Sequence, residues 1–420
     1  MDVLLAGSIF VVAYALIASE RFDRTLIALL GGLLVVVLGV IDQEEAFAGI
    51  DFNVIFLLAG MMILAGGLGK TGFFEYVARL AIHRSRGEPF RLLVMLVIAT
   101  AVLSAVLDNV TTVVLLTPVT LSIARTLKVS PFPYLISQIF ASNIGGTATL
   151  IGDPPNILIG SAAGLDFADF LVNLAPVVLV IMVVFLGILR LWFRRSLQDD
   201  EDRLDVMGAL DPAAAITDRP LMIRSLVVLG LTLVGFLFHS VIGVEAATIA
   251  LLGATVLMIV GPLDPHESLR DIEWSTLFFF VGLFMLVEAV VHVGIVGTVA
   301  TALADVVDGR LEVATIGILW VSAFGSAIVD NIPYTATAIP IVESMIATGL
   351  DAEPLWWALA LGACLGGNLT IVGASANIVV ANLAARDGHP ITFGQFVRYG
   401  SVVVLMSLTI STAYLWLRYL

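Results

Sequence analysis

Residues 142–156 read SNIGGTATLIGDPPN, a stretch that interrupts a helix inside an otherwise apolar chain. It contains three glycines and two prolines, which disfavour a continuous helix, and the segments on both sides of it are apolar. Backbone groups that lose their helical hydrogen bonds cannot face lipid, because nothing there satisfies them. The stretch is therefore predicted to be the break in a discontinuous membrane helix, where it lines a cavity enclosed by protein.

The composition is that of an integral membrane protein. Of 420 residues, 60% are hydrophobic and only 13% are charged, and the mean hydropathy is +1.06. The first apolar run opens with Asp2 and not with basic residues, so it is interpreted as a retained helix and not as a signal peptide. Because apolar runs of nearly spanning length recur along the chain, we predict an all-α polytopic fold with about 10 transmembrane helices plus two re-entrant hairpins.

Lysine and arginine residues mark one side of the membrane. Nearly all of them fall on the same side if residues 90–127 enter and leave by one face, which leaves only Arg310 and Arg418 opposite. Residues 90–127 are therefore predicted to form a re-entrant hairpin. The positive-inside rule then predicts a multi-pass protein of the cell (inner) membrane, with the polar segment 196–221 in the cytoplasm and both termini outside.

The chain carries an internal repeat. The pair Asp330 and Asn331, in AIVDNIPYTATAIP, follows the pair Asp108 and Asn109, in AVLDNVTTVVLLTP, by 222 positions. The opening stretch has its counterpart in GGNLTIVGASAN, 221 positions further on. We therefore predict two halves and a linker: residues 1–195 with a first repeat at about 51–164, a cytoplasmic linker at 196–221, and residues 222–420 with a second repeat at about 273–386.

The second copy is predicted to be inverted relative to the first. Its hairpin, at residues 312–348, is flanked by acidic and not by basic residues, so it is expected to enter from outside. Inverted repeats whose broken helices meet near the midplane are the architecture of secondary transporters. Carbonyl groups at such breaks can coordinate a cation, and the N-termini of the half-helices can hold an anion.

The candidate site consists of the two hairpin tips and the two breaks. An acid inside the membrane is a functional candidate by default, although Asp108, Asp330 and Asp153 have a structural alternative as helix caps, and the glycine pairs have one as close-packing sites. Glu288, with His292 one turn further on, is either a structural pair or a proton relay. The candidate substrate- and ion-binding residues are Asp108, Asn109, Thr111, Asn143, Gly145, Gly146, Asp153, Asn156, Asp330, Asn331, Gly366, Gly367, Asn368, Ser375 and Asn377, with a sodium ion at Asn109, Gly146, Asn331 and Gly367 as one option.

Three stretches, LDNVTTVVLLTPVTLSI, SNIGGTATLIGDPPNILIGSA and GGNLTIVGASANIVVA, together resemble the ion transporter superfamily. This superfamily contains the arsenite permeases, sodium/proton antiporters, the P protein and the divalent-anion/sodium symporters, and the sequence is most similar to the arsenite-permease and P-protein branch. In the dicarboxylate symporters, Ser-Asn-Thr at the hairpin tips binds sodium and substrate. The matching tips here keep the asparagine, but a carboxylate replaces the first hydroxyl at Asp108 and Asp330.

The resemblance implies a secondary active transporter, most simply an antiporter that couples protons to the efflux of arsenite, antimonite or a related small inorganic anion, and hence arsenical resistance. Acids without Lys or Arg in the motifs favour a proton, a sodium ion or a neutral polyhydroxyl over a dianion. A sodium/proton antiporter and a sodium-coupled dicarboxylate or other anion symporter are the alternatives. No cofactor is expected. The expected partners are a small inorganic ion or oxyanion, the lipid bilayer, a second copy of the chain and, for an arsenite pump, a cytoplasmic ATPase subunit.

Two further classes fit the sequence less well. An intramembrane aspartyl protease would carry Tyr-Asp and Gly-x-Gly-Asp motifs, which the chain lacks, so no enzymatic activity is predicted. A channel shares the same composition, but two inverted hairpins favour alternating access. Nothing in the sequence indicates nucleic-acid binding.

Overall fold

The computed structural model describes residues 2–19, 21–86, 88–195, 197 and 211–420. Within these ranges the chain is helical apart from turns and short connections, and no β-strand occurs. The predicted all-α polytopic fold class is thereby confirmed. Residues 196 and 198–210, which form much of the predicted linker, lie outside the described ranges.

The first half, as far as it is described, contains eleven α-helices. They are α1 (Asp2–Ser19), α2 (Arg24–Val37), α3 (Gln43–Ala48), α4 (Phe52–Gly69), α5 (Phe73–Ser85), α6 (Pro89–Val106), α7 (Asn109–Thr126), α8 (Phe132–Gly146), α9 (Pro154–Ala163), α10 (Phe167–Asn173) and α11 (Ala175–Phe193).

The second half follows a short 3-10 turn at Pro212–Ala215. Its helices in the described ranges are α12 (Arg219–Ile242), α13 (Ala246–Val260), α14 (Pro265–Arg270), α15 (Trp274–His292), α16 (Ile295–Val307), α17 (Leu311–Val329), α18 (Asn331–Ala347), α19 (Ala352–Gly366), α20 (Ser375–Arg386) and α21 (Phe393–Tyr419).

The helix boundaries repeat along nearly the whole chain. Helices α5 and α16 have the same length and begin 222 positions apart, and the short helices α3 and α14 do the same. The correspondence also includes α2 and α13, which precede the sequence motifs that revealed the repeat. The duplication therefore involves complete halves of the membrane domain.

The two halves interlock because each packs one of its helices against the other half. Helix α2 of the first half packs against α15, and its counterpart α13 packs against α4. Both contacts pass through a glycine: a Cβ atom at Gly60 would lie 2.7 Å from the carbonyl carbon of Ala250, and one at Gly282 would overlap Ala28. Small residues allow membrane helices to approach this closely, so the halves are joined backbone to backbone.

The equivalent helices α4 and α15 of the two halves run antiparallel. The Nζ atom of Lys70, just after α4, lies 2.8 Å from a carboxylate oxygen of Asp271, just before α15. At the other end, Nδ1 of His292, the last residue of α15, lies 2.7 Å from an oxygen of Glu45 in α3, which precedes α4. The C-terminal end of α4 thus meets the N-terminal end of α15 and the reverse holds at the other end, which is the geometry of inverted repeats.

The predicted hairpins and breaks are both present. Only Leu107 and Asp108 separate α6 from α7, and only Asp330 separates α17 from α18. Helix α8 ends at Gly146 and the chain resumes a helix at Pro154, while the second break, between α19 and α20, contains two short 3-10 turns. Eight described helices, including the hairpin arms α6 and α17, are long and apolar enough to span a membrane, or nine if α9 and α10, bent by 115°, count together.

Candidate functional site

The two hairpin tips are helix caps made by aspartates. An oxygen of Asp108 accepts a hydrogen bond from the backbone N–H of Thr111 at 2.7 Å, and an oxygen of Asp330 accepts one from the N–H of Ile332 at 3.0 Å. Both carboxylates are buried. Asp330 has a φ of +90°, an uncommon conformation for a residue other than glycine. The structural role anticipated for both acids is therefore present, and each carboxylate keeps a second oxygen for other contacts.

Asn143, in the last turn of α8, joins the two halves at the centre of the molecule. Its Nδ2 donates hydrogen bonds to the Oδ1 atoms of Asn368 and Asn377, each at 2.9 Å. Its own Oδ1 accepts a hydrogen bond from Nδ2 of Asn109 at 3.1 Å. All four side chains are buried. The structure thus brings four of the candidate residues into one amide network that links a hairpin tip to both breaks.

The asparagines at the starts of α9 and α20 hold the breaks in place. Nδ2 of Asn156 donates to the carbonyl oxygens of Thr147 and Thr149, and Nδ2 of Asn377 donates to those of Gly367 and Thr370. Cys364 is the repeat mate of Asn143, and it makes the equivalent contact: its Sγ donates to Oδ1 of Asn156, the repeat mate of Asn377, at 3.3 Å. Backbone carbonyls freed by the breaks are therefore hydrogen-bonded by side-chain amides.

Asp153 is buried at the first break, and the structural alternative of a side-chain cap does not apply to it. It occupies the N-cap position of α9, but its side chain makes no capping hydrogen bond. Instead its Oδ1 accepts a hydrogen bond from Nδ2 of Asn331, in the other half, at 3.0 Å. Its Oδ2 is fully buried and has no hydrogen-bond partner among the described residues. Asp153 is thus an acid at the interface of the halves with one oxygen still unpaired.

The candidate glycines lie in backbone-to-backbone contacts. A Cβ atom at Gly146 would overlap the carbonyl oxygen of Gly152 across the break, and one at Gly367 would lie 2.8 Å from that of Gly373. Gly145 and Gly366 instead contact the first hairpin arms, α6 and α17, and any Cβ atom there would overlap their backbones. These positions are closed to larger side chains because the breaks and the hairpins pack tightly together.

A cavity of about 510 Å³ lies beside this network. Nine polar residues line it, namely Asp23, Arg24, Thr25, Glu273, Ser275, Thr276, Asp330, Ser375 and Asn382. The Arg24 guanidinium lies 5.1 Å from the centre of the Phe279 ring, and its Nη1 is 3.3 Å from Oδ2 of Asp330. A carboxylate at a hairpin tip is therefore accessible from a cavity that also contains a base.

The sequence motifs did not reveal Arg24. It lies outside both repeated motifs, at the first position of the short helix α2, and its repeat mate is Ala246. Its contact with Asp330 spans 306 positions of the chain. The one available signal was a base at the start of an apolar helix, which the positive-inside rule explained without a site.

The other predicted residues lie apart from this centre. His292 pairs with Glu45 and not with Glu288 among the described contacts, at the face of the protein where α15 ends. Two of the predicted sodium ligands have different hydrogen-bond partners, since Asn109 bonds to Asn143 while Asn331 bonds to Asp153. In the described part of the chain, no group of three His, Cys, Asp or Glu side chains could hold a metal ion.

Comparisons with known proteins agree with this architecture. The family described as Citrate transporter (CitMHS) matches residues 14–362. An uncharacterized transporter of Mycobacterium tuberculosis is 46% identical over 424 residues, which cover 99% of this chain and 98% of that protein. The P protein of Homo sapiens is 34% identical over 499 residues, which cover 99% of this chain and 60% of the P protein.

A solved structure shares the fold. The Alcanivorax borkumensis YdaH transporter, whose crystal structure was reported to have an unusual topology, matches with a TM-score of 0.62 at 14% identity, over 99% of this chain and 97% of that one. The predicted resemblance to the ion transporter superfamily is confirmed. Because the family match spans most of the chain and the relatives exceed 30% identity along its length, the chain is a membrane-spanning transporter that belongs to the CitMHS citrate transporter family.

Proposed function

We propose that the chain is a secondary active transporter that moves a small anion across the cell membrane and couples this movement to protons. The observation that carries the proposal is the Arg24 guanidinium beside Asp330 in the cavity. A base in a cavity at the hairpin tip supplies a binding group for an anion, and the adjacent carboxyl group supplies a place for a proton.

The arrangement of the halves supports alternating access. The antiparallel halves interlock through two helix pairs, α2 with α15 and α13 with α4. The hairpins and the breaks are the other elements at which the halves meet, and they surround the site. In inverted-repeat transporters, one repeat or bundle moves against the other around such a site. The amide network centred on Asn143 crosses this boundary, so it would have to rearrange or move as a unit during transport.

Arg24 changes the expected substrate. From the motifs alone, acids without a nearby base favoured arsenite, a proton or a sodium ion over a dianion. With Arg24 and the Ser375 hydroxyl at the cavity, a carboxylate or another oxyanion can be held by a charge-assisted hydrogen bond. The family description, citrate transporter, points the same way, so we favour a small carboxylate over arsenite.

Protons are the simpler coupling ion. Asp108 and Asp330 at the hairpin tips and Asp153 at the first break are buried acids, and a buried carboxyl group can take up a proton without a cage of ligands. Sodium would need several oxygen ligands, and four of the break carbonyls, those of Thr147, Thr149, Gly367 and Thr370, are already engaged by the amides of Asn156 and Asn377.

The orientation follows from the basic residues. Lys70, Arg79 and the turn before α12 lie together, since the carbonyl of Asp211 accepts a hydrogen bond from Arg79 and that of Lys70 accepts one from Thr217. We assign this face to the cytoplasm. Phe22, an exposed residue that lines the cavity, would then be reached from inside. In a background that carries Cys364→Ala, Phe22→Cys should react with a membrane-impermeant thiol reagent only from the cytoplasmic side, and reaction from outside would reverse the orientation.

The deciding experiment is transport by the purified chain in proteoliposomes under an imposed pH gradient. Citrate, succinate, arsenite and sodium are compared as substrates, each with and without a protonophore and in sodium-free buffer. We expect uptake of a carboxylate that persists without sodium and collapses with the protonophore. Transport of arsenite or sodium instead of the anions, or a strict requirement for sodium, would contradict the proposal.

A further inference from the structure

Three side chains from three separate helical elements meet at the cavity. Nη1 of Arg24, at the start of α2, is 3.3 Å from Oδ2 of Asp330, and the same nitrogen donates to Oγ of Ser375, the first residue of α20. Oγ of Ser375 in turn donates to Oδ2 of Asp330 at 2.9 Å. The Arg24 side chain is 30% exposed whereas the Asp330 side chain is 7% exposed. The guanidinium therefore bridges an accessible cavity and a buried acid.

The charge balance of the cavity depends on the protonation state of Asp330. Arg24 is the only base among the described residues that line it, whereas Asp23, Glu273 and Asp330 are acids. Oδ1 of Asp23 caps its own helix and Glu273 accepts a hydrogen bond from Thr276, so neither neutralises Arg24 in the described contacts. While Asp330 is ionised, its carboxylate occupies the guanidinium and the cavity repels anions.

We propose that Arg24 is the residue that binds the anionic group of the substrate, and that Asp330 is a competing internal anion which releases Arg24 when it takes up a proton. The substrate carboxylate then replaces the Asp330 carboxylate at the guanidinium, with Ser375 as a second donor. One proton moves to Asp330 and no covalent bond changes. The inference rests on the proposed function in one respect, since it names the residues through which proton and anion are coupled.

Comparison of the two repeats shows that the arrangement of Arg24, Asp330 and Ser375 occurs at one hairpin tip only. The positions equivalent to Arg24 and Ser375 are Ala246 and Pro154, so the other hairpin tip, Asp108, has neither partner. The inferred anion position is therefore single, although the fold is duplicated. Asp153 is a further acid close to the pair on the protein side, because it bonds to Asn331, the neighbour of Asp330 in the chain.

The competition has a quantitative consequence. If an anion binds only to the form in which Asp330 is protonated, its apparent dissociation constant equals the intrinsic constant divided by the fraction of that form. At pH values above the titration of the pair, this fraction falls about tenfold for each pH unit, so the apparent affinity falls by the same factor.

The test is equilibrium binding of citrate, succinate and sulfate to the purified full-length chain in detergent between pH 6 and pH 9, read as ligand-dependent thermal stabilisation. Wild-type affinity should weaken about tenfold per pH unit at the alkaline end. Asp330→Asn should bind with an affinity that no longer depends on this group, because a neutral amide leaves Arg24 free. Asparagine also caps helices and tolerates a positive φ, so the fold of the tip is kept.

Two arginine variants complete the experiment. Arg24→Gln should lose anion binding at every pH, whereas Arg21→Gln should bind like the wild type, because Arg21 is exposed and does not line the cavity. The ionisation of citrate is the same for every variant, so the difference between wild type and Asp330→Asn isolates the protein group. The double variant Arg24→Gln/Asp330→Asn, which has no net charge at the pair, should fold and still not bind.

Several results would overturn the inference. They are equal pH dependence in wild type and Asp330→Asn, undiminished binding by Arg24→Gln, and no binding of any of the three anions by the wild type. The proposed function fails separately, if the wild type binds anions in this pattern but proteoliposomes show no proton-coupled uptake. Coupled uptake that Arg24→Gln leaves intact would refute the inference and leave the function standing.

Discussion

Replacement of Asn143 by alanine is expected to be the most damaging single truncation in the centre of the protein. The side chain makes three hydrogen bonds at 2.9 to 3.1 Å, to residues in α7, in the second break and in α20. It is fully buried. Asn143→Ala removes all three bonds at once and leaves the amide of Asn109 and the Oδ1 atoms of Asn368 and Asn377 without this partner.

The size of the effect can be bracketed. In membrane proteins one side-chain hydrogen bond contributes about 0.6 kcal/mol on average, so three give about 2 kcal/mol as a lower value. A buried polar group left without a partner costs about 1–3 kcal/mol, which raises the upper value to about 9 kcal/mol if none of the three finds a new one. Because Asn109 and Asn368 already have an unpaired atom each and can rotate, we expect a loss of about 2–5 kcal/mol.

The repeat supplies the control. Cys364 occupies the position equivalent to Asn143 and donates one long bond, 3.3 Å, from a sulfur atom to Asn156. Cys364→Ala should therefore cost less than about 1 kcal/mol, since a thiol is a weak donor. Unfolding of the purified variants in mixed detergent gives both free energies. An Asn143→Ala loss no larger than that of Cys364→Ala would refute the reasoning that this amide network holds the halves together.

A double-mutant cycle separates the individual bonds. Asn377→Ala also frees the carbonyls of Gly367 and Thr370, so its own cost includes the second break. The interaction energy between Asn143 and Asn377 should be about 0.6 to 1.7 kcal/mol, the interval between the average and the maximum measured for such bonds in a membrane protein. A coupling of zero would show that the two side chains do not bond in the folded protein.

Three further predictions concern the packing and the tips. Gly366→Ala should destabilise the protein by about 1–3 kcal/mol, because its Cβ would overlap the backbone of α17. The control Gly187→Ala should not, because a Cβ there meets nothing within 4 Å. Equal unfolding free energies of the two variants would show that Gly366 does not pack closely against α17. Asp108→Asn should fold, since asparagine also caps a helix, but lose proton-coupled uptake in proteoliposomes, and unchanged uptake with unchanged pH dependence would reduce Asp108 to a cap. Thr370→Val and its repeat mate Thr149→Val each remove a hydroxyl that donates at 2.5 Å to a carbonyl of a hairpin arm. Each should lower the free energy of unfolding by about 1 kcal/mol, measured by thermal or detergent unfolding. A large difference between the two losses would show that the hydroxyls do not stabilise the two halves equally.

The architecture of the site followed from the sequence because it depends on local and periodic signals. Apolar length predicts membrane helices, and glycine and proline predict breaks, so the residue types in 142–156 are enough to identify a discontinuity there. The offset of about 222 positions paired Asp108 with Asp330 and Asn156 with Asn377, and each pair performs the same structural task in its half.

The sequence also indicated the inversion, although for a statistical reason. Basic residues concentrate near one face, and this bias predicted that residues 90–127 return to the face from which they enter. The ion pairs of Lys70 with Asp271 and of His292 with Glu45 show the same inversion physically, because they join opposite ends of α4 and α15.

What the tertiary structure alone decided is which residues meet across the halves. Arg24 belongs to no motif and has alanine as its repeat mate, yet exchange of α2 between the halves brings it to Asp330, 306 positions away. Asn143 was a candidate, but its place at the junction of both breaks, and the pairing of Asp153 with Asn331, depend on how closely glycine-lined helices approach. Helix periodicity and charge bias act along one chain segment at a time, whereas these contacts arise from the packing of two interlocked halves, so no local pattern encodes them.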